Sequence, residues 1–176
     1  MKLKARDLKR YTDSLEIEEL RSEILRLFAK IPQVQDLYAQ ELLSEADRKE
    51  WVAEYKEKID QCFWSRTESA RRKIKRLELR NLLAHFERIT VSTYDLTDLH
   101  LHRVETATQW AVAMRTVAKS DFQSSLTAFE KAVRLMKQHQ LFPYFHERCQ
   151  ALFSPKRTES WYLYALQQLY IEYATP

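Results

Sequence analysis

The chain of 176 residues contains no glycine. Glycine adopts left-handed and strained backbone conformations at little cost, and tight phosphate-binding turns and nucleophile elbows depend on it. The sequence therefore excludes a P-loop, a dinucleotide-binding G-x-G-x-x-G turn and a G-x-S-x-G elbow. Helix ends must also form without their usual glycine, and Asn81 is the one asparagine in the sequence that offers a substitute. We expect prolines, polar loops and packing to end the helices.

Apolar residues recur three or four positions apart along nearly the whole chain. No segment shows the sustained alternation with a period of two that is typical of a strand. The sequence predicts an all-α fold of about seven to eight helices in a single compact domain, residues 1–176. Short connections favour antiparallel neighbours, arranged as a bundle or as a short array of helical pairs.

The composition is that of a soluble globular protein, with 45% hydrophobic and 31% charged residues. No apolar run approaches the roughly 18 residues of a membrane span. The charged first residues, MKLKARDLKRY, lack the apolar core of a secretory signal. We therefore expect a cytoplasmic location, no membrane association and no disulfide between Cys62 and Cys149. No motif in the sequence calls for a cofactor.

Positive charge is concentrated in residues 66–80. Seven Lys and Arg side chains stand there against two carboxylates, an excess of five, whereas the whole chain carries +4. We interpret this segment as one basic helix whose face is solvated or pairs with acidic helices. The alternative is nucleic-acid binding, because each phosphate that a Lys or Arg neutralises releases counterions. The candidate anion-binding or nucleic-acid-binding residues are Arg71, Arg72, Lys73, Lys75, Arg76 and Arg80.

The apolar stripe changes face within residues 67–90. Ile74 and Leu77 share one side of a helix, whereas Leu83 and Phe86 fall on the opposite side. At 100° per residue the stripe changes side near Glu78. Either the helix is interrupted there, or it is buried on both sides.

An R-N-x-x-x-H string runs from Arg80 to His85, Arg80-Asn81-Leu82-Leu83-Ala84-His85. The string resembles the ribonuclease motif of HEPN domains, in which arginine and histidine from two protomers meet across a dimer groove and cleave RNA without metal. Histidine exchanges protons near neutral pH, and arginine stabilises the charge of a pentavalent phosphate. The resemblance implies a metal-independent ribonuclease that uses Arg80 and His85 as catalytic residues. The competing interpretation is an arginine on the basic face and a histidine at the edge of the apolar stripe, since one straight helix separates the pair by about 140°.

The remaining histidines do not predict a metal site. His100 and His102 are two residues apart, so a helix directs them to different sides. We expect no bound metal.

Three stretches of the chain resemble a bacterial domain-of-unknown-function family, number 6155. They are the opening Leu8-Lys9-Arg10-Tyr11 with Glu18-Glu19-Leu20 and Ile24-Leu25, the middle Asp98-Leu99-His100-Leu101-His102-Arg103-Val104-Glu105-Thr106, and the end, which comprises residues 129–136, 145–149 and 169–173. The resemblance implies a compact helical protein and supplies no substrate, cofactor or catalytic residue. The family pattern has a glycine after the V-E-T string, where this chain has Ala107, and this difference favours an unbroken helix. The R-N-x-x-x-H string is not part of the family pattern.

The sequence favours a non-enzymatic helical interaction or binding protein with a basic face around residues 66–80. Its expected partner is another protein, a second copy of the chain or nucleic acid. A metal-independent ribonuclease and a nucleic-acid-binding protein are the alternative functions.

Overall fold

The computed structural model describes residues 4–42, 44–64, 73–90, 92–114, 118–154 and 159–175. Within these ranges every regular element is an α-helix, which confirms the all-α fold. There are nine of them, more than the seven to eight expected. They are α1 (Ala5–Asp13), α2 (Ile17–Lys30), α3 (Pro32–Leu42), α4 (Glu45–Phe63), α5 (Arg76–Ile89), α6 (Thr93–Met114), α7 (Lys119–His139), α8 (Phe142–Leu152) and α9 (Ser160–Ala174).

Backbone contacts divide the chain into two compact units, Met1–Leu43 and Ser44–Pro176. The single-domain organisation expected from the length stays a prediction. In the first unit α2 contacts α3, and no residue whose exposure is described is buried. The apolar stripe of α2 therefore remains at the surface, with Ile17 68% and Phe28 37% exposed. A unit of this size has too few partner side chains to bury such a stripe.

The second unit holds the hydrophobic core, which consists of two clusters. One joins α6 to α7, α8 and α9 and includes Phe129, Met136 and Tyr162. The other joins α4 and α5 to α6 and includes Ile59 and Phe86. Helix α6 contributes to both clusters, because apolar side chains emerge on more than one of its faces. It runs without interruption through Ala107, as the replacement of the family's glycine predicts.

Helix α5 begins later than the charge pattern suggested. It starts at Arg76, so Lys73 and Lys75 lie before the helix rather than on it, and the prediction that one helix carries the whole basic segment is wrong for these two residues. Leu83 and Phe86 are buried, whereas Leu77 is 63% exposed. Burial on both sides is therefore wrong as well. Ile74 lies before the start of α5, and Leu77 lies in its first turn with an exposed side chain. The buried stripe of α5 therefore excludes both residues.

Helix α7 ends on a left-handed residue although the chain has no glycine. Gln140 has φ 57° and ψ 36°, and its N–H donates to the Met136 carbonyl. The N–H of Leu141 donates to the same carbonyl at 2.9 Å. This is the hydrogen bonding of a glycine-type helix end made by a glutamine. Asn81, the expected substitute, lies inside α5 instead.

Both cysteines are buried free thiols. Burial raises the pKa of Cys62 to about 11 and that of Cys149 to about 12. Since the thiolate is the reactive form, both side chains act as small apolar groups of the core. In the described part of the chain, no helix is both long and apolar enough to cross a membrane.

Candidate anion-binding site

A cavity of about 520 Å³ lies between α5, α6 and α7, beside the end of α4. Three arginines line it: Arg76 and Arg80 from α5, and Arg103 from α6. Helix α7 contributes the polar side chains, and the apolar part of the wall comes from several elements. The remaining lining residues are Phe63, Ile74, Leu77, Leu79, Ala107, Asp121, Ser124, Ser125 and Thr127. The cavity has the size of an ordinary small-ligand site.

Arg76 is held at the start of α7. Its Nε donates to Asp121 Oδ1 at 2.8 Å, and its Nη2 donates to Ser120 Oγ at 3.1 Å. The same Nη2 lies 2.6 Å from Asp121 Oδ1. These contacts connect the first residue of α5 with the first turn of α7. They also neutralise Asp121, so the carboxylate offsets one of the three guanidinium charges.

Arg103 is held one turn further along α7. Its Nη2 donates to Ser124 Oγ at 2.6 Å and to the Ser124 carbonyl at 3.1 Å. Burial lowers the pKa of the Arg103 guanidinium from its ordinary value. No carboxylate forms an ion pair with Arg103 among the described residues. A partly buried cation with only neutral hydrogen-bond partners has lost water without gaining a counter-charge.

The contacts on α7 fix the spacing of these two guanidinium groups. Ser120 and Ser124 are four residues apart on one helix, so they lie on the same face about 6 Å apart along the axis. Arg76 and Arg103 bind these two serines and are therefore held roughly one helical turn apart. Arg80 follows Arg76 by four residues on α5 and lies on the same face of that helix.

Many of the arginine N–H groups remain available for a ligand. A guanidinium has five N–H donors. Arg103 uses only Nη2, and Arg76 uses only Nε and Nη2, in the contacts described. Arg80 forms no hydrogen bond or ion pair with another described residue. Among the described residues, the cavity therefore has planar donors without partners and two positive charges without a carboxylate, an arrangement suited to a carboxylate or phosphate group.

The hydroxyl groups of the cavity differ in what they can offer. Ser125 Oγ lies 2.7 Å from the buried Tyr162 hydroxyl, and Thr127 Oγ1 donates to the Gln123 carbonyl. Ser124 Oγ accepts from Arg103, so its own hydrogen remains able to donate. Ser124 would therefore donate to an anion in the cavity while it accepts from Arg103.

The residues expected to bind an anion are only partly brought together. Arg76 and Arg80 line the cavity. Lys73 and Lys75 are exposed, and Lys75 Nζ forms an ion pair with Glu78 at 3.1 Å. Arg71 and Arg72 lie outside the described residues. The basic segment thus contributes two arginines to the cavity, and the third comes from another helix.

Arg80 and His85 are directed to different neighbours within the chain. Both lie on the uninterrupted α5, five residues apart. Arg80 lines the cavity, whereas His85 Nδ1 lies 2.7 Å from the Tyr55 hydroxyl of α4. One chain therefore does not assemble the R-N-x-x-x-H pair into a single site. The ribonuclease hypothesis requires a second copy and stays untested.

Arg103 is not among the residues that the charge pattern predicted. Its signal was a lone cation between His100 and Val104 on a helix whose stripe is otherwise apolar. The serines at positions 120 and 124, spaced for one helix face, were a second signal. Neither pattern predicts that α6 and α7 place Arg103 beside Ser124.

The neighbouring His100 is 4% exposed, and neither of its ring nitrogens has a hydrogen-bond partner. Burial, with Lys131 and Arg103 nearby, lowers the pKa of His100 to about 3. The imidazole is therefore neutral. Elsewhere in the described part of the chain, His102 pairs with Asp60 at 2.8 Å, and no three His, Cys, Asp or Glu side chains are grouped to hold a metal ion.

Comparison with known proteins identifies the family of the chain but assigns it no activity. No curated protein and no solved structure matches the chain. The resemblance drawn from three stretches of sequence is confirmed: residues 3–166 match the family of unknown function DUF6155, and the chain belongs to that family.

Proposed function

We propose that the protein is a non-enzymatic binding protein that takes an anionic group of its partner into the cavity lined by Arg76, Arg80 and Arg103. The observation that supports this most is the state of Arg103. It is partly buried beside a cavity and has no described carboxylate partner. An anion in the cavity would supply the missing counter-charge and accept hydrogen bonds from Nε and Nη1.

The arrangement favours a small anion held between helices over a polymer bound along one helix face. The arginines come from two helices, and a third helix holds two of them at a fixed spacing. Nucleic-acid binding through the basic segment would use Lys73, Lys75, Arg76 and Arg80 and would not need Arg103. The contribution of Arg103 to the binding affinity therefore distinguishes the two functions.

Calorimetric titration of the full chain with inorganic phosphate and pyrophosphate tests the proposal. We expect Arg103→Met to weaken binding by about 10- to 100-fold, the equivalent of one or two charge-assisted hydrogen bonds. Arg88→Met is the matched control, because Arg88 is an exposed arginine of α5 outside the cavity. It should leave the affinity unchanged.

Equal affinity of wild type and Arg103→Met would contradict the proposal. Titration with duplex DNA and with RNA over a range of salt concentrations addresses the alternative. Binding that falls steeply with salt and survives Arg103→Met would favour the nucleic-acid interpretation.

A further inference from the structure

We infer that the ligand of this cavity is a small free phosphomonoester whose organic part is apolar. The inference rests on the proposed function and adds the identity of the anion and of the group attached to it. Three properties of the cavity support it: its charge, its volume and the apolar part of its wall.

The charge of the cavity matches a dianion. Three guanidinium groups line it, and Asp121 offsets the one to which it is paired. Two positive charges remain without a carboxylate among the described residues. A phosphomonoester carries about −1.5 to −2 at neutral pH, with three acceptor oxygens, whereas a carboxylate carries −1 and two. The unused donors of two arginines held one turn apart suit the larger number of oxygens.

The volume exceeds what an inorganic phosphate needs. The cavity measures about 520 Å³, and a water molecule takes up about 30 Å³ in the liquid. Phosphate has only five heavy atoms and would leave much of the space to water. A ligand that fills the cavity therefore extends beyond its anionic group.

Part of the cavity wall is apolar. Ile74, Leu79 and Ala107 line it together with Leu77. Leu77 is 63% exposed although it borders the cavity, so it presents an uncovered apolar surface beside the charged groups. Contact with an apolar ligand removes this surface from water, which is favourable in proportion to the area covered. A sugar or glycerol attached to the phosphate gains little there.

The lining comes from α4, α5, α6 and α7 rather than from one flat face. A lining that several helices share favours a free small molecule over a phosphate displayed on a membrane surface. Both carry the same chemical group, so the two sources must be separated by the choice of probes.

Calorimetry on the full chain compares phenyl phosphate, glycerol phosphate and inorganic phosphate. We expect phenyl phosphate to bind at least tenfold more tightly than inorganic phosphate, and glycerol phosphate to bind like inorganic phosphate. Leu77→Ser should reduce the affinity for phenyl phosphate and leave the affinity for inorganic phosphate unchanged. Leu8→Ser is the matched control, because Leu8 is also 63% exposed and lies outside the cavity. It should alter neither affinity.

The outcomes separate the inference from the proposed function. Equal affinities for phenyl and inorganic phosphate, both lost in Arg103→Met, would overturn the inference and leave the proposed function intact. Binding to vesicles containing phosphatidic acid without binding to phenyl phosphate would also overturn it. No binding of any phosphate would overturn both.

Discussion

Arg148 binds Glu105 through two parallel hydrogen bonds, Nε to Oε1 at 2.8 Å and Nη2 to Oε2 at 2.9 Å. Its remaining nitrogen, Nη1, donates to Asp98 Oδ1, and Asp98 Oδ2 lies 2.7 Å from Lys56 Nζ. One guanidinium thus joins α8 to α6, and Lys56 extends the network to α4. Burial acts to lower the pKa of Arg148, but the hydrogen bonds to Glu105 and Asp98 raise it above its ordinary value. The arginine stays charged in the folded protein.

Arg148→Met should destabilise the second unit. It leaves two partly buried carboxylates without their main partner, and breaking such a network costs about 3 kcal/mol of unfolding free energy. Urea unfolding measures the change, with Arg88→Met as an exposed arginine control expected to stay within about 0.5 kcal/mol of wild type. A similar small loss for Arg148→Met would show that the network contributes no more than a surface ion pair.

Arg103→Met should weaken phosphate binding by about 10- to 100-fold without lowering stability. The substitution loses the hydrogen bonds to Ser124, but Ser124 is exposed and its oxygens can bond to water. It also removes a partly desolvated cation that has no described counter-charge, which is neutral or stabilising when the replacement packs well. We expect the free energy of unfolding to change by between 0 and about +1 kcal/mol. A loss of 2 kcal/mol or more in urea unfolding would instead assign Arg103 a structural role.

His100→Leu should make the protein less sensitive to acid. The pKa of His100 is lowered to about 3 in the folded state, from an ordinary value of 6.5. The unfolded chain therefore binds a proton that the folded chain does not, and His100 lowers stability as the pH falls from 6.5 towards 3. The slope approaches about 1.4 kcal/mol per pH unit for one proton.

Urea midpoints at pH 7, 6, 5 and 4 measure this contribution. His100→Leu should flatten the decline, and it removes no described hydrogen bond because both ring nitrogens lack partners. The exposed His139, replaced by Leu, is the control and should retain the wild-type decline. An unchanged decline in His100→Leu would mean that His100 does not remain neutral in acid.

Gln140→Gly should not destabilise the protein, in contrast to glycine elsewhere in a helix. The left-handed conformation of Gln140 costs about 1–2 kcal/mol in a residue with a Cβ, and glycine avoids that cost. The greater freedom of glycine in the unfolded chain offsets part of the gain. We expect a net rise of up to about 1 kcal/mol in unfolding free energy.

Gln168→Gly provides the comparison with opposite sign. Gln168 is exposed in the interior of α9, where glycine should cost about 0.5–1 kcal/mol. Thermal unfolding of both variants measures these two changes in stability. If both lose stability equally, the left-handed conformation of Gln140 carries no strain.

Local sequence pattern predicts the helices better than it predicts their environment. The three-to-four spacing in α6 and α7 correctly predicted helices there, because periodicity is a property of a single element. The change of face before Leu79 showed that one straight helix with a single buried face could not account for residues 67–90. It did not distinguish an interruption from two-sided burial, since that depends on which helices pack against the segment. The stripe on α2 illustrates the same limit, because Ile17 and Phe28 have the right spacing and remain exposed.

The sequence predicted only part of the candidate site. Arg76 and Arg80 are close in sequence and belong to a charge cluster that composition reveals. Arg103 is isolated in sequence, and its partner Ser124 lies on the next helix, 21 residues away. Pairing between helices depends on packing geometry, which one sequence without its fold does not specify. The charge cluster therefore predicted two of the three arginines that line the cavity, whereas the fold supplied the third.

Helix α6 belongs to both hydrophobic clusters of the second unit, with Leu101 and Val104 in one and Leu99 and Trp110 in the other. If one cluster is disrupted, α6 loses part of the packing that holds its side chains in the other cluster. We therefore expect residues 44–176 to unfold cooperatively, in one transition rather than two. Backbone amide hydrogens of α6 should then exchange with solvent only on global unfolding.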